Sequence, residues 1–254
     1  MNRLKKILIE EMSWLEVKAA LDSGFDTIII CAASSEQHGP HMAESTDAVI
    51  GAAQSEALAK RLGCALVAPV IRPGLSDHHM ALPGSISLRP ETFKMLLEDY
   101  VSAFVRHGFK NIVLLSSHGG NFAAVAKITE ELAKKYPAKI VSGIPIEALV
   151  GLLVEQEEAA GLPKASCGGH ACAWETSVML YLRPDLVNMD MAAQGFIGKV
   201  DKALTERLFK EGIVAMSPTG IIGDARYATP ELGKLFFNGL VDILETDIRK
   251  KLGK

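Results

Sequence analysis

Thr27-Ile28-Ile29-Ile30-Cys31-Ala32-Ala33 is an apolar run that leads, after two serines, into Glu36-Gln37-His38-Gly39-Pro40-His41. The run has the length and the β-branched content of a strand that is buried on both faces of a sheet. In open α/β sheets, ligands bind just beyond the carboxyl ends of the strands. The polar stretch therefore follows a buried strand at the place where an α/β protein holds its ligand, and we expect a binding site there.

Segments typical of strands and helices alternate along the remainder of the chain. A second buried strand is expected at residues 111–115, and further strands at 64–70 and 139–142. The expected helices cover residues 13–22, 47–63, 90–107, 122–135, 145–160, 171–182 and 230–252. This rhythm is typical of an α/β fold in which helices cover both faces of a mainly parallel sheet. Because no repeat or linker divides the chain, residues 1–254 are expected to form a single domain.

Length and charge exclude several classes of function. The 254 residues carry a formal net charge of −3, and acidic and basic residues are mixed along the chain. This distribution offers neither the basic patch of a nucleic-acid-binding protein nor a polybasic membrane patch. No run approaches the roughly 18 apolar residues of a membrane span, and no signal peptide is evident. We therefore expect a cytoplasmic protein that binds neither nucleic acid nor membrane.

Potential metal ligands concentrate in three parts of the chain. They are Glu36, His38, His41 and Asp47 after the first strand, His118 after the second, and His170 with Glu175 near the start of a helix. Carboxylate oxygens and neutral imidazole nitrogens are ligands of divalent cations. Because the carboxyl ends of parallel strands meet at one edge of a sheet, the first two groups are expected to converge. The pattern therefore predicts a metal site at this edge.

Considered one at a time, these residues have structural alternatives. Asp47 alone is equally typical of a helix N-cap. Glu36 alone can be a solvated carboxylate at a strand end, and His118 a hydrogen-bonded histidine in a turn. The metal hypothesis depends on two separate strand ends, each of which carries a histidine followed by a glycine.

The same residues carry a resemblance to the creatininase (creatinine amidohydrolase) family. The matching stretches are Glu36-Gln37-His38-Gly39-Pro40-His41 with Thr46-Asp47, Ser117-His118-Gly119-Gly120-Asn121, and His170 with Glu175-Thr176-Ser177. Two further segments also resemble the family: Leu82-Pro83-Gly84-Ser85-Ile86-Ser87 and Gly220-Ile221-Ile222-Gly223-Asp224-Ala225. The resemblance extends in order over most of the chain.

The resemblance implies a three-layer α/β/α sandwich with a mainly parallel sheet. It also implies two divalent metal ions per chain, zinc or manganese, with iron as a further option. A homo-oligomer is implied as well, with a hexamer among the options. The metal ligands that the resemblance implies in this sequence are Glu36, His38, Asp47, His118 and Glu175, with Asp47 bridging the two ions.

The expected reaction is hydrolysis of a cyclic amide, or of an amide-like C–N bond in a small molecule, by a hydroxide that the two cations share. We expect His170 to deliver a proton to the leaving nitrogen, with a hydrogen bond to a ligand as its alternative role. Glu175 is expected to act beside it at the catalytic centre. Substrate contacts are expected from His79, Glu44 and Trp174, and His41 is expected to orient a metal ligand. Structural alternatives stay open for two of these, since His79 is equally typical of a loop and Trp174 of a helical core.

Three positions depart from the family pattern. Met42-Ala43-Glu44-Ser45 replaces a Leu-Pro-Leu-Gly stretch, Ala173 replaces a glutamate, and Gly120 replaces a carboxylate of the creatininases proper. Creatinine itself is therefore not the expected substrate. One alternative is a C–C hydrolase that opens a cyclic keto-polyol such as an inositol-derived ketone, which Glu44 favours. Another is a non-catalytic small-molecule binder, which Ala173 favours. A phosphoesterase is disfavoured because no cluster of basic residues lies near the motifs.

Overall fold

A four-stranded parallel sheet lies at the centre of the computed structural model, which describes residues 4–163, 166–198 and 202–254. The strands are β1 (Thr27–Ala32), β2 (Ala65–Val67), β3 (Asn111–Ser116) and β4 (Lys139–Ser142). Their order across the sheet is β2-β1-β3-β4, with Thr27 of β1 level with Ala65 and Asn111. Every strand pair in this sheet is parallel, which confirms the predicted α/β fold.

Helices cover both faces of this sheet. They are α1 (Trp14–Asp22), α2 (Thr46–Leu62), α3 (Pro90–Arg106), α4 (Phe122–Lys135), α5 (Ile146–Ala159), α6 (Ala173–Leu182), α7 (Lys202–Glu211) and α8 (Pro230–Leu252). Along β1, Ile28 and Ile30 pack into one apolar core with α3 and α4, whereas Ile29 and Cys31 pack into a second core with α2, α6 and α8. This alternation follows from the two-residue period of a strand. It produces the helix, sheet and helix layers that were expected.

The structure also contains a small second sheet that was not predicted from the sequence. Its strands are β5 (Cys167–His170) and β6 (Ile222–Gly223), which pair antiparallel. The two backbones approach so closely that a Cβ on Gly168 would lie 2.0 Å from the carbonyl oxygen of Ile222. The charged helix α7 was not predicted either. The strand expected at 64–70 is shorter than predicted, because β2 covers only Ala65–Val67.

The longest helix, α8, packs against the rest of the protein along much of its length. Its 23 residues include buried Phe236, Leu240 and Leu244. It crosses α6 at Gly233, where a Cβ would lie 1.8 Å from the carbonyl oxygen of Ser177. Within the described ranges, none of the helices is both long and apolar enough to cross a membrane.

The ends of two neighbouring strands position the candidate site. Glu36 and His38 follow β1, and His118 follows β3, the strand that pairs with it. The first turn of α2 is tied to the same place, because the hydroxyl of Ser117 donates a hydrogen bond of 2.8 Å to the carbonyl oxygen of Asp47. The predicted convergence of the first two groups of residues is therefore what the fold produces.

Candidate metal centre

Side chains with metal-binding donor atoms converge at the carboxyl edge of the parallel sheet. They are Glu36, His38, Asp47, His118 and Glu175. Their donor atoms form two overlapping sets, with Glu36, Asp47 and His118 in one and His38, Asp47 and Glu175 in the other. Within each set the donor atoms lie within 4.8 Å of one another, and Asp47 belongs to both sets. The fold thus brings together all of the residues that the family resemblance implied as ligands.

His118 faces the two carboxylates of the first set. Its Nδ1 atom lies 3.1 Å from Oε1 of Glu36 and 3.3 Å from Oδ2 of Asp47. Its other ring nitrogen, Nε2, lies 3.1 Å from the carbonyl oxygen of Leu75. Because a carbonyl can only accept, a hydrogen bond there places a proton on Nε2 and directs Nδ1 at the carboxylates. A neutral His118 in this orientation offers its Nδ1 lone pair to a metal ion.

His38 is oriented in a similar way in the second set. Its Nδ1 atom lies 3.1 Å from the carbonyl oxygen of Glu36, while its Nε2 atom lies 3.4 Å from Oδ1 of Asp47 and 3.9 Å from Oε1 of Glu175. The backbone N–H of Ala171 donates to Oε2 of Glu175 at 2.5 Å. Ala171 has a φ of 52°, in the left-handed region that residues other than glycine rarely adopt. A strained residue therefore holds one of the candidate ligands, as is common at functional sites.

Several buried atoms of the cluster have no hydrogen-bond partner in the part of the chain that the structure describes. They are Oε2 of Glu36, Nε2 of His38 and Oδ2 of Asp47, and the contacts of 3.4 and 3.3 Å that the last two make with Oδ1 of Asp47 and Nδ1 of His118 lack hydrogen-bond geometry. Leaving a buried polar group unpaired costs about 1–3 kcal/mol, and more for a charged group. Cations between the two sets would supply the missing partners. Oxygen and imidazole donors suit zinc, manganese or iron, so the residues present fit the metals that the resemblance implied.

The charges of the cluster favour a bound cation. Burial by itself lowers the pKa of His38, but the carboxylates of Asp47, Glu175 and Glu36 outweigh it and raise that pKa to about 10. The same competition between burial and carboxylates raises the pKa of His118 well above its usual value. Burial raises the pKa of Asp47, but the two imidazoles outweigh it and lower that pKa to about 2. Without metal ions, the imidazoles therefore take up protons that balance the carboxylates.

Glu175 and His170 differ from His38, His118 and Asp47, because at both of them burial sets the direction of the pKa shift. Burial raises the pKa of Glu175 to about 8 and lowers the pKa of His170 well below its usual value. The Nδ1 atom of His170 lies 3.7 Å from Oε1 of Glu36, and His170 forms a third donor set with Glu36 and His38. The fold therefore places His170 beside the cluster. Its role in proton transfer stays a prediction.

Gln37, which was not predicted to belong to the site, links two of its histidines. Its Nε2 atom lies 2.7 Å from Nδ1 of His79 and 2.8 Å from Nε2 of His170. Its Oε1 atom accepts a hydrogen bond of 3.0 Å from the backbone N–H of Gly39, which determines the orientation of the amide. The amide N–H groups therefore face His79, whereas Nε2 of His170 also lies 2.9 Å from the backbone carbonyl oxygen of Gln37, which can only accept a hydrogen bond. The one sequence signal that could have identified Gln37 was its place inside the first motif.

A cavity of about 760 Å³ opens beside the cluster. The polar residues that line it include Glu36, Asp47, His78, His79, His118, His170 and Glu175. Nε2 of His79 lies 3.7 Å from Oε1 of Glu36, so the fold brings this predicted substrate contact to the site. His78 was not predicted to take part, although it directly precedes His79. Burial lowers the pKa of His78 to about 3, so its ring is neutral beside the cluster.

Two of the predicted substrate contacts, Glu44 and Trp174, do not line this cavity. The carboxyl carbon of Glu44 would be 2.7 Å from a Cβ on Gly84, so this side chain packs against the segment that joins β2 to α3. The indole of Trp174 is buried, stacks on the ring of Phe236 with centroids 6.2 Å apart, and donates a hydrogen bond to Gln156. It lies in the core because this side of α6 faces α5 and α8.

His41 is buried next to the candidate ligands. Its Nε2 atom lies 2.9 Å from the hydroxyl oxygen of Thr176, the residue after Glu175. Burial lowers the pKa of His41 to about 4, so its ring is neutral. The contact joins the loop after β1 to the first turn of α6. Its effect on a ligand is indirect, and the predicted orienting role stays a prediction.

Comparison with known proteins identifies the family. The sequence matches the creatininase (creatinine amidohydrolase) family over residues 10–248. It is 31% identical over 232 residues to a mycofactocin precursor peptide peptidase of Mycobacterium ulcerans, which covers 87% of this chain and 84% of that relative. It is 28% identical over 269 residues to a 3-dehydro-scyllo-inosose hydrolase of Thermotoga maritima, which covers 98% of this chain and 85% of that relative.

The fold is also that of solved creatininases. A crystal structure of creatinine amidohydrolase superposes with a TM-score of 0.81 at 24% identity, and the match covers 98% of this chain and 98% of that one. The family match spans nearly the whole chain, and the buried histidine, glutamate and aspartate side chains cluster at the strand ends. This chain therefore belongs to the creatininase family of hydrolases.

Proposed function

We propose that this chain holds two divalent cations and hydrolyses an amide C–N bond in a small molecule. The observation that carries the proposal is that Asp47 is shared by two sets of buried donor atoms. A carboxylate with two oxygens can bind two ions at once, which is what a two-metal hydrolase needs. Glu36 and His118 would complete the protein ligands of one ion, and His38 and Glu175 those of the other.

The chemistry is divided between the cations and the side chains. Bound in this cluster, the cations would polarise the substrate carbonyl and lower the pKa of water towards about 7. His118 and His38 each have one ring nitrogen at a backbone carbonyl, which keeps the other directed at the carboxylates. His170 has its Nδ1 atom 3.7 Å from Glu36, and we assign to it the transfer of a proton to the leaving nitrogen.

The choice of an amide bond is supported by one of the relatives. The protein from Mycobacterium ulcerans is named a peptide peptidase, and a peptidase breaks a C–N bond. Open-chain amides therefore belong in any test beside the cyclic amides that were expected from the family resemblance.

A second candidate is the opening of a cyclic keto-polyol by hydrolysis of a C–C bond. It is supported by the likeness to the 3-dehydro-scyllo-inosose hydrolase, which covers 98% of this chain. A pair of cations can polarise a ketone as well as an amide carbonyl. The bond that is broken therefore depends on what the cavity binds rather than on the ligand set.

Metal analysis combined with a substrate screen tests the proposal. Protein loaded with zinc or manganese should hold about two ions per chain. It should hydrolyse at least one member of a panel of cyclic amides, formamides and short peptides, and chelator-treated protein should not. Absence of bound ions, or full activity after chelation, would contradict the proposal. Activity confined to cyclic keto-polyols would select the second candidate.

A further inference from the structure

Two helices give the cavity beside the metal cluster an apolar wall. On α5, Ile146, Val150 and Val154 are spaced four residues apart, so they lie on one face of the helix, and all three line the cavity. On α7, Leu208 and Phe209 line the same cavity. The wall is therefore built by two separate elements and is not a single exposed side chain.

The wall is continuous with the metal cluster. The ring of Phe209 contacts the ring of His78, with centroids 4.6 Å apart. His78 contacts the ring of His79 at 4.2 Å, and Nε2 of His79 lies 3.7 Å from Oε1 of Glu36. A group that lies against the wall is therefore close to a bond held at the cluster.

The wall is exposed although its side chains are large and apolar. Phe209 is 56% exposed, Val150 46% and Val154 39%. A contiguous apolar surface beside a polar centre is typical of a binding site. Among the described residues, the polar side chains that α5 and α7 add to the lining are Glu147 and Thr205. The wall thus offers few partners for the hydroxyl groups of a polyol.

We propose that the substrate carries a branched or aromatic apolar group beside the bond that is broken, and that α5 and α7 bind this group. The inference rests on the proposed function, because the metal cluster locates the reacting bond. The cavity of about 760 Å³ has room for such a group in addition to the amide. The substrate class that the wall favours is therefore an amide with a bulky apolar substituent.

Binding of hydroxamates to the zinc-loaded protein tests this proposal without requiring turnover. Acetohydroxamate, hexanohydroxamate and phenylacetohydroxamate all chelate metal ions, and they differ in the apolar group that they offer to the wall. Titration calorimetry should show that the two larger compounds bind at least about tenfold tighter than acetohydroxamate, as expected for a few buried methylene groups. The ratio of the affinity for the two larger compounds to the affinity for acetohydroxamate should fall severalfold in both Phe209→Ala and Val150→Ser.

A matched control is Leu235→Ala, because Leu235 is 55% exposed and lies outside the cavity lining. It should keep the wild-type ratio. Equal affinities across the series would overturn the proposal. An unchanged ratio in both wall variants would also overturn it, and a smaller sedimentation coefficient for those variants would then show that a second copy of the chain covers the wall.

The test separates this inference from the proposed function. Failure of the protein to hold two ions would overturn the proposed function and this inference with it. Affinity that rises with the apolar group, in a protein that hydrolyses no amide, would contradict the proposed function but support the apolar site. Hydrolysis of amides without preference for apolar substituents would support the proposed function but contradict the apolar site.

Discussion

Oδ1 of Asp47 lies 3.4 Å from Nε2 of His38, although Asp47 is in the first turn of α2, where a carboxylate can serve as a helix cap. The N-cap of this helix is Ser45, and no side chain accepts a capping hydrogen bond there. The sequence left two roles open for Asp47, a metal ligand and a helix N-cap. In the fold, Asp47 is not the N-cap of α2. Its carboxylate is buried between two imidazoles, and it benefits there from the positive end of the helix dipole.

Replacing Asp47 by Asn should release both ions. The change preserves size but removes the negative charge that the two donor sets share. We expect the metal content after dialysis, measured by plasma mass spectrometry, to fall from about two ions per chain to less than one. Asp22→Asn is the control, since it alters only an exposed ion pair with Lys18 on α1. Full metal content in Asp47→Asn would show that the two ions do not share this carboxylate.

Replacing Gln37 by Leu should slow turnover while the metals stay bound. Leu has a similar volume but leaves Nδ1 of His79 without the amide that now contacts it, whereas Nε2 of His170 keeps the backbone carbonyl of residue 37. We expect kcat to fall by about 10–100-fold, as is typical when a group that orients active-site histidines is lost. The measurement is kcat together with metal content. A rise in KM alone, or a loss of the metals, would show that Gln37 has a different role.

Adding a methyl group at position 120 should displace His118. A Cβ on Gly120 would lie 2.4 Å from the carbonyl oxygen of Leu75 and 2.5 Å from Nε2 of His118, the two atoms that now approach each other. We expect Gly120→Ala to lose about 1–3 kcal/mol in the free energy of unfolding and to bind metal more weakly. Gly119→Ala is a matched control, since no described atom beyond its own residue and its two chain neighbours lies within 4 Å of its Cβ. Equal stability and metal affinity in the two variants would contradict this explanation.

Ionisation of the buried carboxyl of Glu157 should lower the free energy of unfolding as pH rises. Burial raises the pKa of this carboxyl above its unfolded value, although the hydroxyl of Ser166 donates to it at 2.7 Å. Its contribution to stability is therefore fully present below the unfolded pKa of about 4.3 and is lost as pH rises through the folded pKa. Denaturant unfolding should show that Glu157→Gln is more stable than the wild type at pH 8 and gains less at pH 4. Glu155→Gln, at an exposed position of the same helix, should show no such difference.

Much of the fold could be predicted because its signals are local in sequence. The runs at 27–33 and 111–115 are apolar throughout, which favours buried strands whatever surrounds them. Helix boundaries are marked in the same way. Pro90 is the first residue of α3, and Gly63 ends α2 with a φ of 73° that suits glycine.

The elements that were not predicted depend on contacts between distant segments. β5 contains adjacent glycines and has no apolar alternation, and it pairs with β6 from a remote part of the chain. Trp174 illustrates the same limit. An indole near a predicted site suggested a substrate contact, but packing against Phe236 places it in the core.

The sequence by itself determined the kinds of donor atom and their positions at the ends of two buried strands. It did so because strand runs and ligand types are properties of short segments. Only the tertiary structure decided that Asp47 lies between His38 and His118, that Gln37 contacts two histidines, and that α5 and α7 supply an apolar wall. Those relationships are distances between segments, and they exist only when the helices pack against the sheet.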